Sequence, residues 1–362
     1  MKYIKENYFF IIVALIFFIS GLSVAHYKIF PYYELRWIKN FSGEVFKKNE
    51  INFSPINEIG KYAFIDELIE KKYLINNSIK SLDELHYQVK DISFPFELIW
   101  EHKDKRKIFE VKMINKENIY HLEGEIDKNK INSYAYKLSK NKKEAVLVIP
   151  GSGKNQSYDI ANNIRNYHGN LNFIKNEFDV FLYIKPNEGI RAIHNNKKKL
   201  RNGFLTGRMI NQGNSYSSTY ILESLFWVDY LKSKYESVIV MGLSQGGEAS
   251  LINCLLTNPN KCVVASGYSV LNNKFSWIGN GGIISPNIQK KFNVETIKEN
   301  ISLSNTSYIF TWGKKEYGVY KTESKNMNTC NEFVNLAIDC FIHSGGHEFP
   351  ESQIIKLLRD KN

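Results

Sequence analysis

Val238-Ile239-Val240-Met241-Gly242-Leu243-Ser244-Gln245-Gly246-Gly247-Glu248 passes from an apolar run through a glycine-flanked serine toward a helical segment. Its first four residues form a short, uninterrupted apolar run, the pattern of a strand buried on both faces. From Glu248 to Leu256 the sequence reads as a helix. Between them stands Gly-x-Ser-x-Gly. A strand that passes directly into a helix must turn sharply there, which puts the serine in a strained conformation. The small residues two before and two after it, Gly242 and Gly246, avoid a clash between strand and helix. The hydroxyl is thereby presented above the sheet, beside a helix N-terminus whose dipole favours negative charge. Ser244 is the candidate nucleophile.

The same alternation extends outward in both directions. Ala145 to Ile149, Val180 to Ile184, Cys262 to Ala265, Tyr308 to Thr311 and Cys340 to Ile342 read as further strands. Thr219 to Tyr235 has helical periodicity, with Ile221, Leu225, Trp227, Val228 and Leu231 on its apolar side, and Ser352 to Arg359 closes the chain as a helix. Strands alternating with helices predict an α/β fold with a mostly parallel sheet and helices on both faces. Upstream, Ile108 to Ile114, Ile119 to Ile126 and Ile131 to Leu138 read as strands separated by charged turns, which predicts an antiparallel edge.

A serine is a poor nucleophile without a base. The candidate base is His347, in the Gly-rich loop Ser344-Gly345-Gly346-His347 just past the last strand. His343 competes but falls at the strand's end, where a structural role is expected, and His168 and His194 suit a surface or core role. The third member is an acid that orients the histidine. Gly313 ends the Tyr308 strand and Glu316 follows three residues later; Glu323 and Asp339 are the alternatives, Asp339 being at the wrong end of its strand. A developing oxyanion needs donors. The backbone N–H of Gln245 is one candidate, and the loop Pro150-Gly151-Ser152-Gly153 supplies another from Ser152 or Gly153. Gly151-Ser152-Gly153-Lys154 lacks the spacing of a phosphate-binding loop.

Residues from about 95 to 362 resemble an α/β-hydrolase. The resemblance rests on the elbow at Ser244, the Gly-rich loop at 151–153, the Gly313-to-Glu316 spacing, the Gly346-His347 ending, and the chain order of nucleophile, acid and histidine. It implies an eight-stranded, mostly parallel sheet and a Ser-acid-His site. Two features depart from the pattern: the loop begins Pro-Gly where many members have His-Gly, and the acid is Glu where Asp is commoner. Both leave the subfamily open.

The chain has 362 residues, 43% hydrophobic and 23% charged, too apolar for general disorder and without the repeats of fibrous or solenoid proteins. Apart from the N-terminus no stretch is apolar enough to span a bilayer, which excludes a polytopic membrane protein. Lys2 and Lys5 precede the apolar run Tyr8 to Ile19, and Ser23 and Ala25 are small residues where a signal peptidase cuts. Residues 1–25 are thus a signal peptide or an uncleaved N-terminal anchor, with residues 8–25 as a membrane tether in the second case. Residues 26–94 read as a helical and irregular extension, with helix-like spacing at Asp66 to Leu74 and Leu82 to Val89, and 95–362 as the hydrolase domain.

The four cysteines fit export. Cys254 and Cys330 lie in expected helices, and Cys262 and Cys340 open the strands that follow. Pairs Cys254–Cys262 and Cys330–Cys340 would each staple a helix to the next strand, and disulfides persist in oxidising compartments. Four buried free thiols are the alternative. Without CxxC or tight Cys/His spacing, no metal site is expected.

The formal net charge is +11. Such charge favours anionic partners, but the densest run, Lys197-Lys198-Lys199, reads as solvated surface. No zinc-finger, RRM or basic-zipper pattern is present, so no nucleic-acid partner is expected. The expected activity is hydrolysis of a small-molecule, glycan or lipid ester through an acyl-enzyme, with no cofactor. Acyl transfer, amide cleavage, and a non-catalytic binding or assembly role on the same scaffold are the alternatives. Residues 186–218 and 267–300, with Phe204, Tyr216, Tyr268, Phe275 and Trp277, either line the site as loops or pack as ordinary core.

Overall fold

The computed structural model describes Val89, Ile92 and most of the chain from Phe94 to Asp360. Outside the described residues lie 1–88 and, within the fold, chiefly 115–117, 164–167, 269–286 and 317–327. The N-terminal apolar run, the helical spacings at 66–74 and 82–88, Lys197, Phe275, Trp277 and Glu323 fall among these.

Nine strands form one open sheet. They are β1 (Arg106–Met113), β2 (Ile119–Ile126), β3 (Asn129–Lys137), β4 (Glu144–Ile149), β5 (Asp179–Ile184), β6 (Ser237–Leu243), β7 (Lys261–Ala265), β8 (Ser307–Gly313) and β9 (Ile338–His343). Their spatial order is β1-β2-β3-β5-β4-β6-β7-β8-β9. The last six in that order run parallel, and β1 to β3 form the antiparallel edge. The sheet has one strand more than the resemblance implied, and each of the nine has its own apolar or alternating segment in the sequence. Burial explains the segments. Every residue of β5 is buried and β4 is buried from Ala145 to Ile149, as fits central parallel strands, whereas β1 is mixed and exposed. A register shift between Ile108 and Glu110 leaves Phe109 facing solvent at this edge.

Helices cover both faces: α1 (Phe96–Glu101), α2 (Gln156–Ala161), α3 (Asn202–Asn211), α4 (Tyr216–Lys232), α5 (Gln245–Thr257), α6 (Val294–Leu303) and α7 (Glu351–Arg359), besides shorter helical turns. Alternate residues of each central strand divide between two cores. Leu147 and Val240 pack with α4 and α5; Val146, Val148, Ile239 and Met241 pack with α2 and α7 through Ile160, Ile354 and Leu358.

Helix α4 is more deeply buried than its periodicity indicates. Its expected stripe is buried, but so are Ser217, Ser218, Thr219, Glu223 and Ser224 on the other sides. Each polar group has a partner. Ser215 caps the helix by accepting from the Ser218 amide at 3.0 Å. The Thr219 hydroxyl accepts from the Phe94 amide at 3.0 Å, which ties the segment before α1 to the helix. Glu223 receives Arg191 through two bonds of 2.5 and 2.8 Å and the Tyr183 hydroxyl at 2.6 Å.

Cys254 is bonded to Cys262 and Cys330 to Cys340, with Cα separations of 6.1 and 5.6 Å. Each bridge joins a helix to the following strand, as the placement predicted. No helix among the described residues is long and apolar enough to cross a membrane.

Candidate active site

Ser244 stands between β6 and α5 with φ 60° and ψ −125°, a strained backbone for a residue with a side chain. Its amide donates to the Ala265 carbonyl at 2.8 Å, and its carbonyl accepts from the Gly247 and Glu248 amides at 2.9 and 3.2 Å, starting α5. Its hydroxyl caps none of the helix amides. The glycine requirement is steric. A Cβ on Gly246 would lie 1.9 Å from the Ile149 carbonyl oxygen, and one on Gly242 would lie 2.1 Å from the Gly246 carbonyl oxygen. The helix therefore seats directly on the end of β4.

Ser244, Ser266, Glu316 and His347 follow the C-terminal ends of the adjacent parallel strands β6, β7, β8 and β9. His347 Nδ1 and Glu316 Oε2 are 2.8 Å apart and hydrogen-bonded, and both residues are buried. The loop that carries the histidine is zipped to the loop that carries the acid: the Lys314 amide donates to the His343 carbonyl at 2.8 Å, and the Lys315 amide to the Gly345 carbonyl at 2.9 Å. Glu316 Oε1 accepts from the Ser266 hydroxyl and from the Gly313 amide, the latter at 3.3 Å. Burial alone would raise the Glu316 carboxyl. The hydrogen bonds from His347 and Ser266, the nearby imidazole charge and the Gly313 amide outweigh burial and hold it below its usual value.

The competing residues are placed elsewhere. His343 is buried at the end of β9, where its Nδ1 accepts from the Gly345 amide at 3.2 Å, a structural turn contact. Asp339 lies exposed near the start of β9, at the far end of the sheet. Ser266, at a left-handed φ of 47°, had no sequence signal. Its role follows only from the pairing of β7 with β8.

The chain order reverses about β4. β5 lies on one side of it and β6 on the other, so the chain leaves β4 and β6 in opposite directions, the switch-point arrangement of open α/β sheets. Ile149 is in register with Gly242, which sets the loop 150–153 beside the elbow. The architecture is that of an α/β-hydrolase.

That loop is held from several sides. The Gly151 amide donates to His168 Nε2 at 2.7 Å. The Gly151 carbonyl accepts from Lys185 Nζ, and the Gly153 carbonyl from Asn202 Nδ2 at 3.0 Å. Gly151 is buried and Ser152 exposed. Gln245, the residue after the candidate nucleophile, gives its carbonyl to the Tyr220 hydroxyl at 3.0 Å and its side-chain oxygen to Lys185 at 3.1 Å. His168 is buried, in keeping with the core role the sequence allowed, and it lies against the Gly151 loop. Its burial, then the Lys185 charge, then the His347 charge hold it well below the usual histidine value, so it accepts as a neutral ring.

Of the aromatic residues that the sequence left as either site lining or core, Tyr216 and Tyr268 are core. Tyr216 donates its hydroxyl to the Pro186 carbonyl at 2.8 Å, and Tyr268 stacks on Phe333. Phe204 is half exposed on α3. A solvent-open cleft beside the His347 loop is lined by Phe173, His343, Glu348 and Phe349, but not by Ser244, Glu316 or His347. Among the described residues no cluster of His, Cys, Asp and Glu could hold a metal ion.

No family model and no curated protein sequence matches the chain. Several solved hydrolases are similar in structure. Acetyl xylan esterase 1 from Thermoanaerobacterium sp. JW/SL YS485 shares 14% identity at a TM-score of 0.41, over 81% of this chain and 98% of that one. A glucuronoyl esterase from Caldicellulosiruptor kristjansonii shares 12% at 0.43, over 77% and 85%. S-formylglutathione hydrolase from Staphylococcus aureus shares 10% at 0.38, over 70% and 96%. At such distances no substrate is carried over from any of them.

Proposed function

We propose that this chain is an exported serine hydrolase of carboxylic esters, with Ser244 as nucleophile, His347 as base and Glu316 as the orienting acid. The observation that carries the reading is the buried 2.8 Å bond between His347 Nδ1 and Glu316 Oε2, at the same end of the parallel sheet as a serine held at φ 60° on a strand-to-helix turn. With its proton on Nδ1 and donated to Glu316, the imidazole keeps Nε2 as a base. His347 takes the Ser244 proton as Oγ attacks the ester carbonyl carbon. The oxyanion that forms is held by the Gln245 amide and by an amide of the Ser152-Gly153 loop. His347 then protonates the departing alkoxide, leaving the acyl group on Ser244. Water, deprotonated by His347, attacks that ester, and collapse of the second tetrahedral species returns the proton to Ser244 and frees the acid. Glu316 remains ionised and stabilises the imidazolium throughout.

Two disulfides support export, because such bonds persist in oxidising compartments. An exported basic enzyme fits acylated cell-surface glycan or lipid as the ester it meets. The test is turnover of p-nitrophenyl acetate, acetylated glycans and lipid esters by the purified full chain. Ser244→Ala and His347→Ala are expected to lower kcat by a factor on the order of 10⁴ or more. Undiminished turnover in folded Ser244→Ala would overturn the reading.

A further inference from the structure

Lys185 and Glu188 are fully buried, just past the end of β5, and nothing in the chemistry above uses them. A buried lysine is costly unless every donor is met. Here the ammonium donates to the Gly151 carbonyl and to Gln245 Oε1 at 3.1 Å, and it is ion-paired with Glu188 Oε1 at 3.0 Å. Glu188 Oε2 in turn accepts from the Ser157 hydroxyl at 3.0 Å and its amide at 3.4 Å, at the start of α2. The pair therefore ties both ends of the loop that joins β4 to α2, and one ammonium also links that loop to the residue after the nucleophile.

The peptide plane gives this tie a direction. In a trans peptide the C=O of one residue and the N–H of the next point opposite ways. The Gly151 carbonyl is turned inward onto Lys185, so the Ser152 N–H is turned away from Lys185, and Ser152 itself is an exposed residue. The Gly151 amide is taken by His168. Asn202, which is itself held by Asn187 at 2.7 Å, fixes the Gly153 carbonyl.

We propose that Lys185 is a positioning residue for the oxyanion hole: by holding the Gly151 carbonyl and the Gln245 side chain together, it aims the Ser152 N–H as the second donor beside that of Gln245. This rests on the serine hydrolase reading. Glu188 neutralises the ammonium and fixes its place. A misaimed donor acts on the transition state rather than on substrate binding, so its loss falls on kcat.

The experiment measures kcat and KM on p-nitrophenyl acetate, per active site counted by end-point labelling with a fluorophosphonate. The variants are Lys185→Met, the double Lys185→Met/Glu188→Gln, and Ser152→Pro, with thermal melts on each. The double variant avoids a stranded buried charge. Ser152→Pro deletes the amide hydrogen at an exposed position, whatever the buried variants do to folding. The expected result is a kcat per labelled site lower by about ten- to a hundredfold, with KM within about twofold of wild type. Mere destabilisation would lower the melting temperature and the number of labelled sites but not kcat per site. A kcat per site within about twofold of wild type in Ser152→Pro, or in the folded double variant, would overturn the assignment while leaving the hydrolase reading intact. A wild-type chain that takes no label at Ser244 would overturn the hydrolase reading and this assignment with it.

Discussion

The proposed chemistry depends on one hydroxyl, one imidazole and one carboxylate, and each is held by something other than itself. Ser244 is held by backbone strain and by its amide's bond to Ala265. His347 is held by Glu316, and Glu316 by Ser266 and Gly313. Ser266→Ala removes one charge-assisted bond, worth about 1.5 kcal/mol. If that bond orients the acid, kcat falls about tenfold, and steady-state kinetics at neutral pH measure it. The same variant moves the acid limit of stability. A carboxyl held below its usual value stabilises the fold fully above that value, and the contribution is lost as pH falls through the folded-state pKa. Removing the Ser266 bond brings that pKa nearer the usual value, so the contribution shrinks and less stability is lost on acidification, which acid-unfolding curves followed by circular dichroism detect. Wild-type kcat in Ser266→Ala would show that the bond does not orient the acid.

At the scale of elements, the elbow is a stack of close approaches. Gly246→Ala would put a methyl 1.9 Å from the Ile149 carbonyl, a backbone atom that cannot move without β4. The expected cost is at least about 3 kcal/mol, read from denaturant melts. The disulfides act on neighbouring elements. Their short loops, of 8 and 10 residues, give about 2.5 kcal/mol each by the loop-entropy relation. Replacing either pair by alanines is expected to lower the melting temperature by several degrees, and unchanged melts would contradict that contribution. The central strands were legible because doubly buried strands read as unbroken apolar runs, and both cysteine pairs were legible from their place at helix–strand junctions. Ser244, Glu316 and His347 were legible as candidates because each follows a strand through a glycine-containing turn. The polar side of α4 was not: Glu223 looks like a solvated residue until Arg191 and Tyr183 are folded onto it. Ser266, His168 and Lys185 were illegible for the same reason, since their partners lie far off in the sequence and no spacing marks them.

At the scale of the whole molecule, two buried histidines make stability depend on pH. Burial lowers His168 well below its ordinary value of 6.5 and lowers His343 as well. Groups of this kind contribute fully above the unfolded value, and their contribution is lost as pH falls through the folded one. The melting temperature is therefore expected to fall as pH drops below about 6.5, in the range where histidines ordinarily titrate. His168→Gln, which keeps an acceptor for the Gly151 amide, should make that fall shallower; an equally steep fall would remove His168 from the linkage. The central claim for the chain is an activated serine at residue 244. Labelling of the purified full chain with a fluorophosphonate, followed by peptide mapping, tests it most directly. The expected result is one adduct, on Ser244, that is absent in Ser244→Ala and strongly slowed in His347→Ala. Well-folded wild-type protein that takes no label, or takes it at another serine, would contradict it.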